Sequence, residues 1–134
     1  MDKKFNQPLF RAWNESTRTM VYQEENESLK DFFDYYDGWN FTQFIYATDK
    51  FDTKIYVGDI LKQTLLNGEV NLYKVWIEDG GFVINQFQDD FYKDFEKISF
   101  FQPISDMQNA SAIKNFQVVG NVFENELLLI KTIV

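Results

Sequence analysis

The chain contains no cysteine and no histidine. Without cysteine there is no disulfide and no thiol nucleophile. Without either residue the usual zinc, haem and iron–sulfur ligand sets are missing. Ser-His-Asp and Cys-His catalysis and the ordinary general base near neutral pH are missing as well. Positive charge is scarce: 13 Lys and Arg stand against 21 Asp and Glu, a formal net charge of −8. Phosphate binding depends on Lys and Arg displacing counterions, so direct nucleic-acid binding is not expected without a basic cluster, and none occurs. No apolar run is long enough to span a bilayer, so no membrane partner is expected. Met1-Asp2-Lys3-Lys4 leads into mixed polar residues with no apolar h-region. The expected location is therefore the cytoplasm. Proline is limited to 2 positions and glycine to 6, with no linker rich in either, no internal repeat and no low-complexity tract.

Aromatic residues are abundant: 15 Phe, 7 Tyr and 3 Trp among 134 residues. Large rings favour strands and fill β cores; some of them are also suited to a self-association surface. The length fits one domain that can bury a core without metal or disulfide.

Lys54-Ile55-Tyr56-Val57-Gly58-Asp59-Ile60-Leu61 is the centre of the pattern. A glycine within an apolar β stretch marks a bulge, a sharp bend or a close backbone approach. Asp59 beside Gly58 is expected to bond backbone N–H groups and fix the bend. Asn67-Gly68 and Asp79-Gly80-Gly81 follow, both strong hairpin signals. They divide the region into strands over 60–66, 69–78 and 82–87. In the middle strand Tyr73, Val75 and Ile77 share one face, and Leu72, Lys74, Trp76 and Glu78 share the other.

Upstream, Pro8-Leu9-Phe10-Arg11-Ala12-Trp13 alternates as a strand. Asn14-Glu15-Ser16-Thr17 is a turn, and Thr19-Met20-Val21-Tyr22 is the returning strand. Arg11 within this strand is expected to pack its stem and pair with an acid. Residues 23–38 are acidic. Ser28 with Asp31 resembles a capping box, and Leu29, Phe32, Phe33 and Tyr36 form an apolar helical stripe, predicting a short helix on the sheet that ends near Gly38. Its acidic outer face reads as solvated, with a carboxylate metal site as the alternative. Residues 39–46 read as a strand and 47–54 as a polar connection. Within that connection Asp49 and Asp52-Thr53-Lys54 fit the loose acid-x-Lys pattern of some metal-dependent nucleases, a pattern short enough to recur by chance.

Residues 88–97 read as a loop or helical turn, 98–104 as an apolar stretch in which Pro103 marks a strand edge or end, and 106–112 as the start of a short helix. Phe116-Gln117-Val118-Val119-Gly120-Asn121-Val122-Phe123 reads as a strand with a Gly-Asn bend. The apolar stretch 126–134 is expected to dock in the core or against another subunit.

Three stretches stand in order: Phe10-Arg11-Ala12-Trp13 with Met20, Ile55-Tyr56-Val57-Gly58-Asp59-Ile60, and Val119-Gly120-Asn121-Val122-Phe123-Glu124-Asn125 with Leu127 and Leu128. Together they resemble the YopX family of phage and prophage proteins, over nearly the whole chain. Ile45-Tyr46-Ala47-Thr48-Asp49 stands where that family usually has Thr-Gly-Leu-Lys-Asp. The resemblance implies a small, mostly β fold similar to SH3-like barrels, carried on a phage or prophage, with no established activity. It transfers no catalytic, cofactor-binding or metal-binding residue. The matched positions read as structural: Gly58 and Gly120 for backbone bends, Trp13, Tyr56, Ile60 and Val122 for the core, and Asp59 and Asn121 as parts of the same motifs. The expectation is a single mainly β domain, an antiparallel barrel with one or two short helices. It is expected to serve as a non-catalytic interaction module that uses no cofactor, self-associates, and acts on a host or phage protein. The alternatives are an acidic regulator or mimic acting on a host nucleic-acid-binding protein and, third, a carboxylate–metal nuclease.

Overall fold

The computed structural model describes residues 8–78, 81–86, 101–103 and 113–125. Its strands are β1 (Phe10–Asn14), β2 (Thr19–Tyr22), β3 (Asn40–Thr48), β4 (Lys54–Tyr56), β5 (Asp59–Thr64), β6 (Val70–Glu78), β7 (Gly81–Gln86), β8 (Phe101–Pro103) and β9 (Gln117–Asn121). One helix, α1 (Leu29–Tyr35), lies between β2 and β3, and a 3-10 turn (Ile113–Asn115) precedes β9. The strands form two antiparallel sheets, ordered β2-β1-β3-β4 and β8-β7-β6-β5-β9. The first is curled, and together they make a small barrel-like, mainly β fold.

The hairpins follow their turn chemistry. Gly68 has φ +91 and donates its N–H to Leu65 O, so β5 returns as β6 with Thr64 opposite Val70. Glu78 faces Gly81 where β6 meets β7. Tyr73 and Val75 enter the core as the alternation predicts, but Ile77 on the same face is half-exposed. The main core cluster joins Ile45, Ile55, Val57, Leu61, Tyr73, Val75, Ile84 and Phe116. Tyr73 and Phe116 stack at 4.9 Å within it.

The helix forms where the cap and the stripe predict it. Ser28 Oγ accepts the Asp31 N–H at 3.0 Å, satisfying one of the first-turn donors. Leu29, Phe32, Phe33 and Tyr36 turn inward while Lys30, Asp31, Asp34 and Tyr35 are exposed. Phe33 meets Phe10 of β1 and Phe41 of β3 edge-on at 5.0 and 4.7 Å. The helix therefore covers the Phe10–Ala12 face of the first sheet, and Leu9, Arg11 and Trp13 point to the opposite face.

β3 runs to Thr48, two residues beyond the expected strand. Its register with β4 shifts between Phe44 and Thr48, and Tyr46 there has φ +65. Such an irregularity increases local twist and bend, which curls the sheet. As a result Tyr22 on β2 and Tyr56 on β4, at opposite edges of the sheet, meet ring to ring at 5.3 Å.

The central stretch is broken at the expected residues, with a larger consequence than a bend. β4 closes the first sheet and β5 belongs to the second, so Val57-Gly58 is where the chain passes from one sheet to the other. Val57 N donates to Gln43 O of β3, and Gly58 N donates to Val75 O of β6, both at 2.8 Å. The readings for 88–97, 106–112 and 126–134 lie outside the described residues, as do Asp79 and Gly80 of the second turn.

Candidate functional site

The sheet-to-sheet crossover gathers residues from all three motif stretches. Arg11 reaches it from β1 with 2 % exposure, and Asp59 opens β5 equally buried. Arg11 Nη1 donates to Asp59 Oδ1 at 2.7 Å, Nη2 to Val57 O at 2.9 Å, and Nε to Thr42 Oγ1 at 2.9 Å. Asp59 Oδ2 accepts the Tyr56 N–H at 2.8 Å. Asp59 therefore closes the turn through Gly58 onto the backbone and also holds the guanidinium. Burial pushes the Asp59 carboxyl above its usual range, while the Arg11 charge and the Tyr56 N–H pull the other way. Burial also pushes the Tyr56 phenol up to about 12, with the Arg11 charge opposing. The guanidinium carbon lies 5.0 Å from the Tyr56 ring centroid, a cation–π contact.

Gly58 adopts φ +96, and a Cβ there would lie 3.0 Å from the Phe123 ring and 3.4 Å from Arg11 Nη2. Only glycine fits both the conformation and the space. Gly58 O accepts the Val122 N–H at 2.8 Å, bringing in the third stretch. There Asn121, buried, accepts the Phe123 and Glu124 N–H groups on its Oδ1 and donates Nδ2 to Glu124 Oε1. Asn125 Oδ1 accepts the Asn121 N–H at 3.0 Å, and a Cβ on Gly120 would stand 2.6 Å from that oxygen. Gly120 permits that close approach. Trp13, 1 % exposed, packs against Phe123 at 6.0 Å and donates Nε1 to Glu15. Arg11, Trp13, Tyr56, Gly58, Asp59 and Asn121 thus form one connected junction, with Gly120 beside Asn121. Ile60 is fully buried and Val122 partly.

Asp49 is a second buried carboxylate. Its Oδ1 accepts the Phe51 and Thr53 N–H groups, and its Oδ2 accepts that of Val118. These bonds tie the β3–β4 loop to β9, a role absent from the reading of that loop as a polar connection. The other members of the acid-x-Lys pattern turn to different partners: Asp52 to Lys114 at 3.1 Å and Lys54 to Glu25 at 3.3 Å. Among the described residues no group of three or more Asp or Glu side chains is arranged to hold a metal ion.

A cleft of about 710 Å3 opens beside the junction. Arg11 and Asp59 line it together with Tyr22, the acidic segment Gln23-Glu24-Glu25-Asn26, the strand β4 residues Lys54 and Tyr56, Thr53 before them, and Val118 of β9. Gln23 is buried because its side chain ties Phe10 N to Glu27 O, which fixes the course of the acidic segment along the rim. The sequence offers no local signal for this cleft. It arises from the curl that brings β2 close to β4.

No family model matches the chain, and no curated protein matches it. Among solved structures, the chain is similar to protein EF1440 from Enterococcus faecalis. The TM-score is 0.54 at 19 % identity, over 92 % of this chain and 98 % of that one. At that identity the likeness is one of fold: the two chains share the barrel-like β architecture over nearly their whole lengths.

Proposed function

We propose that this chain is a non-catalytic protein-interaction module of phage or prophage origin that acts in the bacterial cytoplasm and self-associates. The observation that carries the reading is the commitment of the two carboxylates buried among the described residues, Asp59 and Asp49. Every carboxylate oxygen of Asp59 and Asp49 is bonded to a guanidinium or to backbone N–H groups. Groups held this way stabilise bends and strand contacts; they are not poised for proton transfer, which requires a reactive group within reach of a substrate. Support for association comes from exposed apolar side chains: Leu66 is fully exposed, Phe51 is 65 % exposed, and Val70 and Ile77 are about half-exposed. Light scattering tests it. A species larger than 16.0 kDa at high micromolar concentration is expected, and a clean monomer there refutes self-association.

A second reading, an acidic regulator that occupies a basic host protein, draws on the exposed carboxylates Asp31, Asp34 and Asp37 and on the net charge of −8. Capture of a purified basic DNA-binding protein that weakens with salt would favour it over the first.

A further inference from the structure

We propose that the cleft beside the Arg11–Asp59 pair binds an arginine or lysine side chain presented by a basic segment of a partner protein. This rests on the interaction-module reading and gives it a surface and a partner chemistry. The cleft, about 710 Å3, lies within the range of small-ligand pockets and has room for one long side chain with its flanking backbone. Tyr22 and Tyr56 meet edge to face in its wall at 5.3 Å, and Tyr22 is 48 % exposed, so its ring is accessible to a cation. Glu24 and Glu25 stand on the rim.

The cleft already holds both kinds of contact that such a side chain would make. The Arg11 guanidinium sits over the Tyr56 ring, and the Lys54 ammonium pairs with Glu25 at 3.3 Å. The charges within it favour a cation over an anion. Arg11 is neutralised by Asp59 and Lys54 by Glu25, so among the described residues three lining carboxylates (Glu24, Glu25, Asp59) against two lining cations leave one formal negative charge, on Glu24. An arriving anion would have to displace an existing ion pair, whereas an arriving cation adds to Glu24. The field of the whole chain, at −8, steers in the same direction.

The test uses the full chain with fluorescein-labelled eight-residue peptides, one arginine-rich, one lysine-rich and one glutamate-rich. Anisotropy gives affinity, and amide chemical shifts locate the contact. Binding of the two basic peptides is expected, with shifts gathered on Tyr22, Glu24, Asn26, Lys54, Tyr56 and Val118. Glu24→Gln should weaken it about three- to fivefold, the scale of an exposed charge pair. Tyr22→Leu, which keeps apolar cover but removes the ring, should weaken it about two- to fivefold. Both variants should melt close to wild type. Shifts centred on Asp31, Asp34 and Asp37 of α1 would overturn the proposal. So would equal binding of the glutamate-rich peptide, equal affinity for free arginine amide or a polyamine, or no binding at millimolar peptide. If the peptides fail while light scattering shows association, the cleft assignment falls and the module reading stands. If the chain is also monomeric, the self-association falls with the cleft assignment.

Discussion

Removing the Asp59 carboxylate separates its two jobs at the crossover. Asp59→Ala strips Arg11 Nη1 of its partner and leaves a guanidinium at 2 % exposure without its counter-ion. It also leaves the Tyr56 N–H without its acceptor. Breaking a buried ion pair from one side costs about 3–5 kcal/mol, a large part of the roughly 5–15 kcal/mol that holds a domain folded. For a chain of this size the melting temperature should fall by roughly 10–20 °C. Asp59→Asn keeps an acceptor for Tyr56 N and should cost less. Arg11→Met leaves the carboxyl buried without its cation, so the Asp59 pKa rises further. A carboxyl whose folded pKa lies above its unfolded value lends stability below the unfolded pKa and loses it as pH climbs through the folded one. Arg11→Met should therefore be less destabilised at pH 4.5 than at pH 7. The double variant Arg11→Met with Asp59→Asn buries no charge at the site and should recover much of the loss at pH 7. Urea unfolding followed by circular dichroism at both pH values measures all four variants against wild type. A cost below about 1 kcal/mol for Asp59→Ala, or a double variant no better than Arg11→Met alone at pH 7, would refute the reasoning.

Further outcomes follow for two glycines and for Tyr56. Gly58→Ala forces an alanine into φ +96 with its Cβ 3.0 Å from the Phe123 ring; a loss of about 1–3 kcal/mol is expected in the same unfolding assay, whereas Gly68→Ala, at φ +91 with open space around it, should lose less. The Tyr56 phenol, at about 12, stays protonated in the folded chain while the unfolded chain ionises it near 10. Wild type should therefore lose stability relative to Tyr56→Phe as pH rises from 10 to 12, by about 1 kcal/mol at pH 11, and a gap between the two proteins that is constant from pH 8 to 11 counts against that burial.

The elements that were legible in the sequence are those specified by neighbours a few residues apart. Asn67-Gly68 marks its own turn, and Ser28, Asp31 and the Leu29–Tyr36 spacing carry the cap and the buried face of α1. Gly58 and Asp59 mark a break because both are out of place in an apolar strand. The sheet change at that break left no local trace, since it depends on which distant strands pair on either side. The same holds for Arg11: an acid partner was expected, but Asp59 is 48 residues away and several acids lie nearer. The backbone-bonding role of Asp49 is hard to read because an aspartate in a polar loop looks alike whether solvated or folded around its own backbone, although its spacing to Phe51 and Thr53 is that of a side chain capping the turn that follows. The cleft was invisible because a two-residue register shift in β3 creates it.

The crossover at Gly58 also sets an order of events as the chain folds. The β1–β2 and β5–β6 hairpins close over short loops and can form early. The bonds that join the two sheets span 48 residues from Arg11 to Asp59, 69 from Asp49 to Val118 and 105 from Arg18 to Phe123. Until residues 117–122 arrive, Gly58 O and Asp49 Oδ2 lack their partners Val122 N and Val118 N, and the half-built sheets expose their inner faces. Assembly should wait on that late, long-range capture, on the millisecond-to-second scale of β barrels with distant pairings.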